Sequence, residues 1–166
     1  KYFDMPSINN HYLNLRSLIL KHRAYIDQFP IGLYHGDLCL SNLIVDDQFN
    51  FYLIDPRGIE NNKPTMNIIY ELAKLRHSIC SHYDLINMNL ASIISNPRGD
   101  LVIRSDINSS FKNLYIVYTS LLKKFNINDD ILKIVESSLF LSMIPLHMDS
   151  KKKCLRYFIQ SVNLIK

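Results

Sequence analysis

HGDLCLSNLIVDDQFNFYLIDPRG, residues 35–58, is the stretch on which the reading of this chain turns. Leu43-Ile44-Val45 and Phe49 to Ile54 are two β-prone runs, and Asp46-Asp47-Gln48 between them supplies turn chemistry, so the segment reads as a hairpin. His35 to Asn42 leads into the first run, and Asp55 ends the second. The hairpin therefore brings Asn42 and Asp55 together, one at each strand base, with Asp37 five residues before Asn42.

An acid, an amide and a second acid in this arrangement suit phosphoryl transfer. That reaction asks little covalent chemistry of the protein. It needs an acceptor hydroxyl held in line with a γ-phosphate, and magnesium to neutralise the charge spreading over the phosphate oxygens. Asp37, at the start of a loop, is placed to orient the hydroxyl and take its proton. Asn42 offers a side-chain carbonyl oxygen and Asp55 a carboxylate, both hard ligands suited to magnesium.

Outward from the motif, the chain divides simply. Ser7 to about Phe29 carries Tyr12, Leu15, Leu18, Ile19 and Tyr25 close to helical spacing, with Ser7 as a possible cap and Pro30 as the stop. Pro56 to Thr65 describes a loop. Everything beyond is helical in pattern. Ile68, Ile69, Leu72, Leu75 and Ile79 form one stripe, and Asn96-Pro97-Arg98-Gly99-Asp100 is a break. Phe111, Leu114, Tyr115, Tyr118, Leu121, Leu122 and Phe125 line a second helix. Asp129 or Asp130 caps a third, with Ile131, Leu132, Val135, Leu139 and Met143 inward until Pro145. Leu155, Phe158, Ile159, Val162 and Ile165 make the last. The expected layout is helix, hairpin, then four helices, and the ten tyrosines are read mostly as helix-face core.

Composition bounds the function class. With 166 residues the chain can bury one sizeable core. Its net charge of +4 favours anionic ligands but is too weak to argue for nucleic acid. Three scattered cysteines, Cys39, Cys80 and Cys154, suggest neither a disulfide framework nor a zinc site and fit a reducing compartment. No apolar run approaches the ~20 residues of a membrane span, so none is expected, and a cytoplasmic location is the default.

The same residues carry a resemblance. HGDLCLSNLIVDD…FYLIDPRG resembles the catalytic segment of the aminoglycoside phosphotransferase and choline kinase family, relatives of the protein kinases. Glu71-Leu72-Ala73-Lys74-Leu75 with His77-Ser78, and Ile144-Pro145-Leu146-His147, are similar to segments of bacterial members linked to capsule and surface-polysaccharide biosynthesis. The resemblance implies an α+β, mostly helical fold: a protein-kinase-like C-terminal lobe over residues 1–166, with a small β-hairpin carrying the metal site. It implies Asp37 as catalytic base, Asn42 and Asp55 as magnesium ligands, and ATP as phosphate donor to a small-molecule hydroxyl acceptor. Gly36 stands where protein kinases carry Arg, which argues against a phosphorylated activation loop and for a small-molecule acceptor. Asp55-Pro56-Arg57-Gly58 replaces their Asp-Phe-Gly, and Pro56 stiffens the backbone after the metal ligand.

Gly32, Gly36, Gly58 and Gly99 form no phosphate-gripping loop, and no strand Lys with a helix Glu is found. The ATP-gripping lobe is therefore expected in an upstream domain of the same polypeptide, before Lys1. Among supporting residues, His35 is read as structural, bonding loop carbonyls. Arg57 is read either as a phosphate or acceptor clamp or as a loop anchor. Asp46 and Asp47 are turn residues and Cys39 a packed thiol. Glu71 reads better as a solvated helix position than as a contact to Arg57 or the loop. His77, His82 and His147 are packing or surface residues. A second reading of the whole is a non-catalytic nucleotide-binding or scaffolding domain of a larger biosynthetic enzyme.

Overall fold

The computed structural model describes residues 4–57, 66–106 and 109–166. The chain opens with helices α1 (Met5–Lys21) and α2 (Arg23–Asp27). The single expected helix is broken at His22, which leaves helical geometry at φ −100°, ψ 8°. Its cap is Asp4 and not Ser7: the Asp4 carboxylate accepts the Ser7 N–H at 2.9 Å, and Pro6 sits in the first turn, where no donor is needed.

Two short strands, β1 (Ile31–Gly32) and β4 (Met66–Asn67), pair antiparallel and enclose the motif. Between them, β2 (Leu43–Val45) and β3 (Phe51–Leu53) form the hairpin, with Leu43 opposite Leu53 and Val45 opposite Phe51. Asp46 holds its turn by accepting the Gln48 and Asn50 N–H groups at 2.9 and 2.8 Å. Of the expected loop, 58–65 lies outside the described residues, Gly58 included.

Helix α3 (Ile68–Ile79) follows at once, capped by Asn67, whose Oδ1 accepts the Ile69 N–H at 2.8 Å. The Asn67 amide also donates to the Ile26 and Phe29 carbonyls at 2.8 and 3.1 Å, tying the end of α2 to the start of α3.

The region beyond α3 is not all helical. After α4 (Tyr83–Asn87), strands β5 (Ala91–Ser95) and β6 (Leu101–Ser105) make a second hairpin. The expected inter-helix break at residues 96–100 is its turn. Asn96 Oδ1 accepts the Arg98 and Asp100 N–H groups, both at 2.9 Å, and Gly99 supplies φ +82°. Ile93, Ile94, Val102 and Ile103 are β-branched residues that pack well on a pleated surface.

Helices α5 (Ser109–Lys124), α6 (Asp129–Leu146) and α7 (Lys151–Leu164) complete the fold. Asn128 caps α6, where Asp129 or Asp130 was expected; both acids occupy the first turn, where they favour the helix dipole. Pro145 falls in the last turn of α6, so its missing N–H forfeits a single bond.

Helix α6 is the spine. Leu132 and Leu139 pack with Ile69, Ala73 and Ile79 of α3 and with Tyr118 and Leu122 of α5. Phe140 and Met143 pack with Tyr83, Ile86, Ala91 and Tyr157, while Ile131 and Ile134 meet Leu15 of α1. Losing a fully buried ring such as Phe140 costs about 3–5 kcal/mol. Tyr83, Tyr118 and Tyr157 are core, whereas Tyr12, Tyr52 and Tyr115 are about half exposed, so the tyrosines divide between interior and surface. Among the described residues, no helix is long and apolar enough to cross a membrane.

Candidate functional site

The motif loop is held by a stripe of polar side chains on α3. Glu71, Lys74 and Ser78 stand at i, i+3 and i+7, so they share one face of the helix. Each reaches the loop. Glu71 Oε1 accepts the Gly36 N–H at 2.5 Å, Lys74 Nζ lies 2.6 Å from Asp37 Oδ1, and Ser78 Oγ accepts the Leu40 N–H at 3.1 Å. Gly36 sits at φ +77°, a conformation open to glycine at no steric cost, which turns its N–H toward the helix.

Glu71 is buried at 4 % exposure, which overturns the solvated position expected of it. Burial pushes its carboxyl up from the usual range, and the Gly36 N–H works in the opposite direction. Lys74 is buried to the same degree, with the Tyr83 ring centroid 5.6 Å from its ammonium. Burial pushes the Tyr83 phenol up to about 12, with nearby anions adding to the effect. The sequence pattern assigns Lys74 no role of its own; the signal for one is the i, i+3, i+7 polar stripe of Glu71, Lys74 and Ser78.

The strand bases are joined through the backbone. The Ile54 N–H donates to the Asn42 carbonyl at 3.0 Å, and the Arg57 N–H to the His35 carbonyl at 2.8 Å. His35 Nε2 lies 2.8 Å from the Ile54 carbonyl, and its Nδ1 accepts the Asp37 N–H at 3.3 Å. His35 thus clasps the start of the loop to the end of β3. Cys39 is buried, with Sγ 3.2 Å from Ser41 Oγ.

Asn42 donates its side-chain N–H to the Asp37 carbonyl at 2.9 Å, which fixes which way the amide faces. Its Oδ1 has no hydrogen-bond partner among the described residues. Asp55 is exposed, adopts φ +55°, and makes no hydrogen bond or ion pair among the described residues. A left-handed non-glycine residue costs roughly 1–2 kcal/mol, least for Asp and Asn, and such positions cluster at functional sites. Arg57 stands half exposed, with Nε 3.8 Å from Asp37 Oδ2.

The loop and hairpin therefore bring Asp37, Asn42, His35 and Arg57 into one bonded cluster, with Asp55 one residue beyond the ladder bond that ends on Asn42. The oxygens of Asn42 and Asp55 that have no partner among the described residues are hard donors of the kind magnesium takes, so the chemistry of these two residues fits that ion. Among the described residues, no group of three or more His, Cys, Asp or Glu gathers to hold a metal. His77 serves packing, and His82 a hydrogen bond. His77 is fully buried, stacked on Tyr83 at 4.3 Å and edge-on to Phe140 at 4.0 Å, and His82 Nδ1 lies 2.9 Å from Ser105 Oγ.

An apolar cavity of about 1030 Å³ lies elsewhere, between α1 and the α6–α7 corner, lined by Ile8, Tyr12, Leu15, Ile19, Leu141 and Pro145 among others. No motif residue lines it. Comparison of the chain with protein-family models, with curated proteins and with solved structures finds no match.

Proposed function

We propose that this chain is the catalytic lobe of a phosphotransferase that moves the γ-phosphate of ATP to a hydroxyl of a sugar, amino alcohol or related metabolite. One observation carries the reading: a carboxylate gripped on one oxygen by a buried ammonium, its backbone carbonyl held by the Asn42 amide, with Asn42 Oδ1 and the Asp55 carboxylate unpartnered among the described residues. A structural ion pair alone needs no such neighbours.

In this reading Asp37 accepts the proton of the acceptor hydroxyl as that oxygen bonds to the γ-phosphorus and the bond to the β–γ bridging oxygen breaks, releasing ADP. Asn42 and Asp55 would hold magnesium, which supplies charge neutralisation on the phosphate oxygens. The contribution of the chain is otherwise positional. Glu71 and Ser78 fix the loop backbone, His35 closes it on the hairpin, and Arg57 presents a guanidinium to an anionic group near Asp37. An ATP-gripping lobe in the same polypeptide completes the site.

The test is an acceptor screen. The full-length gene product is incubated with Mg-ATP and pooled sugars and amino alcohols while ATP consumption is followed. Wild-type protein consumes ATP with at least one pool, and Asp37→Asn lowers kcat by about 10²–10⁴-fold while leaving the fold intact. Wild-type turnover in Asp37→Asn refutes the assignment of Asp37. Binding of Mg-ATP without turnover in any pool favours the non-catalytic nucleotide-binding role instead.

A further inference from the structure

Lys74 is 4 % exposed while the Asp37 side chain is 24 % exposed, and their charged atoms lie 2.6 Å apart. An ammonium is strongly hydrated, so burying it is costly unless a partner replaces the lost water. Asp37 is its one ion-pair partner among the described residues, and the Tyr83 ring covers another side. Stability does not call for this pair, since a helix facing a core accommodates Met or Leu at such a position without dehydrating a charge.

The pair is also lopsided. Oδ1 of Asp37 is spent on the buried ammonium, whereas Oδ2 lies on the side of the half-exposed Arg57, at 3.8 Å from its Nε. Resting on the phosphotransferase reading, we infer that Lys74 is a positioning residue. By occupying Oδ1 from behind, it turns Oδ2 toward the open side, and Oδ2 is the oxygen that takes the hydroxyl proton. Glu71 sets the backbone one residue earlier from the same helical face, so α3 fixes both the position of Asp37 and the rotation of its carboxylate. Acceptor and phosphate approach from the Arg57 side.

A double-mutant cycle tests this, with magnesium-dependent ATP consumption in the pooled sugars and amino alcohols as readout, normalised to folded protein by near-ultraviolet circular dichroism. Lys74→Met lowers kcat about 10²-fold, the cost of a misplaced reacting group, with KM for ATP changed less than about threefold. In the Asp37→Asn background, Lys74→Met brings no further loss, because the carboxylate it aims is gone. Lys74→Arg, which keeps the charge and guards against misfolding of Lys74→Met, falls between the two. Lys74 variants within twofold of wild type, or an equal loss in the Asp37→Asn background, overturn the inference alone. A wild-type protein that consumes no ATP overturns the phosphotransferase reading and this inference with it.

Discussion

Arg76→Met tests the brace between α3 and α6. The guanidinium bonds Glu136 through Nη1 and Asp129 through Nε at 2.9 Å, and the Arg76 side chain is only 8 % exposed. Burial works against its charge, but Glu136 and Asp129 outweigh that and hold its pKa above the ordinary value. Glu136 is fully buried, and burial pushes its carboxyl up while Arg76 works in the opposite direction.

Removing the guanidinium strands the Glu136 charge, which escapes by taking up a proton. From an unfolded-state pKa of 4.5, neutralisation at pH 7 spans 2.5 units, or about 3.4 kcal/mol at 1.36 kcal/mol each. That figure caps the charge penalty and agrees with the 3–5 kcal/mol usual for a broken buried pair. Asp129, partly exposed, regains water and adds little.

The sign follows from linkage. In the variant the folded-state pKa of Glu136 is raised further, so its stabilising effect is complete below 4.5 and is lost as pH rises. The deficit relative to wild type should therefore shrink to at most about 0.7 kcal/mol at pH 5. Urea unfolding followed by tyrosine fluorescence, in a chain with ten Tyr and no Trp, gives the number directly. The midpoint of thermal unfolding falls by roughly 7–14 °C at pH 7. Arg76→Met/Glu136→Leu regains most of the loss, because no charge is left unpaired. A deficit below about 1 kcal/mol at pH 7, or one that does not shrink on acidification, refutes the reasoning.

Three further outcomes are expected. Glu71→Ala leaves the Gly36 N–H without its acceptor and costs about 1–3 kcal/mol, with faster amide exchange at Gly36; unchanged protection there counts against the α3 clasp. Asp55→Asn and Asn42→Ala each raise the magnesium concentration for half-maximal ATP consumption by about tenfold or more, and an unchanged requirement removes that residue from the proposed metal site. His77 is held well below its ordinary 6.5 by burial, with Lys74 adding to the effect, so its stability is present above 6.5 and is lost as pH falls. His77→Phe should therefore lose up to about 2 kcal/mol less than wild type between pH 7 and pH 5, and equal acid sensitivity in urea melts dismisses the effect.

The hairpin at 43–53 was legible because two β-prone runs flank an Asp-rich turn, and both signals are local. The same logic applied to residues 91–105 would have found the second hairpin. Asn96-Pro97-Arg98-Gly99-Asp100 reads as a break between helices when the stripes at helical spacing before and after it are extended across two short β-branched runs. Asp4 displaced Ser7 as the first cap for a similar reason. Both are capping residues, and which one leads depends on where α1 starts.

Sequence by itself determined which residues are candidates for the proposed chemistry. Asp37, Asn42 and Asp55 stand at fixed spacings around a hairpin, and a two-strand ladder brings its two ends together whatever else the chain does. Tertiary structure alone decided what grips the loop that carries Asp37. Glu71, Lys74 and Ser78 form a polar stripe that suits water equally well in sequence, and burial became visible only once α3 lay between the motif loop and α6. A charge on a helix is read as solvated until a partner is near, and that partner is 37 residues away along the chain.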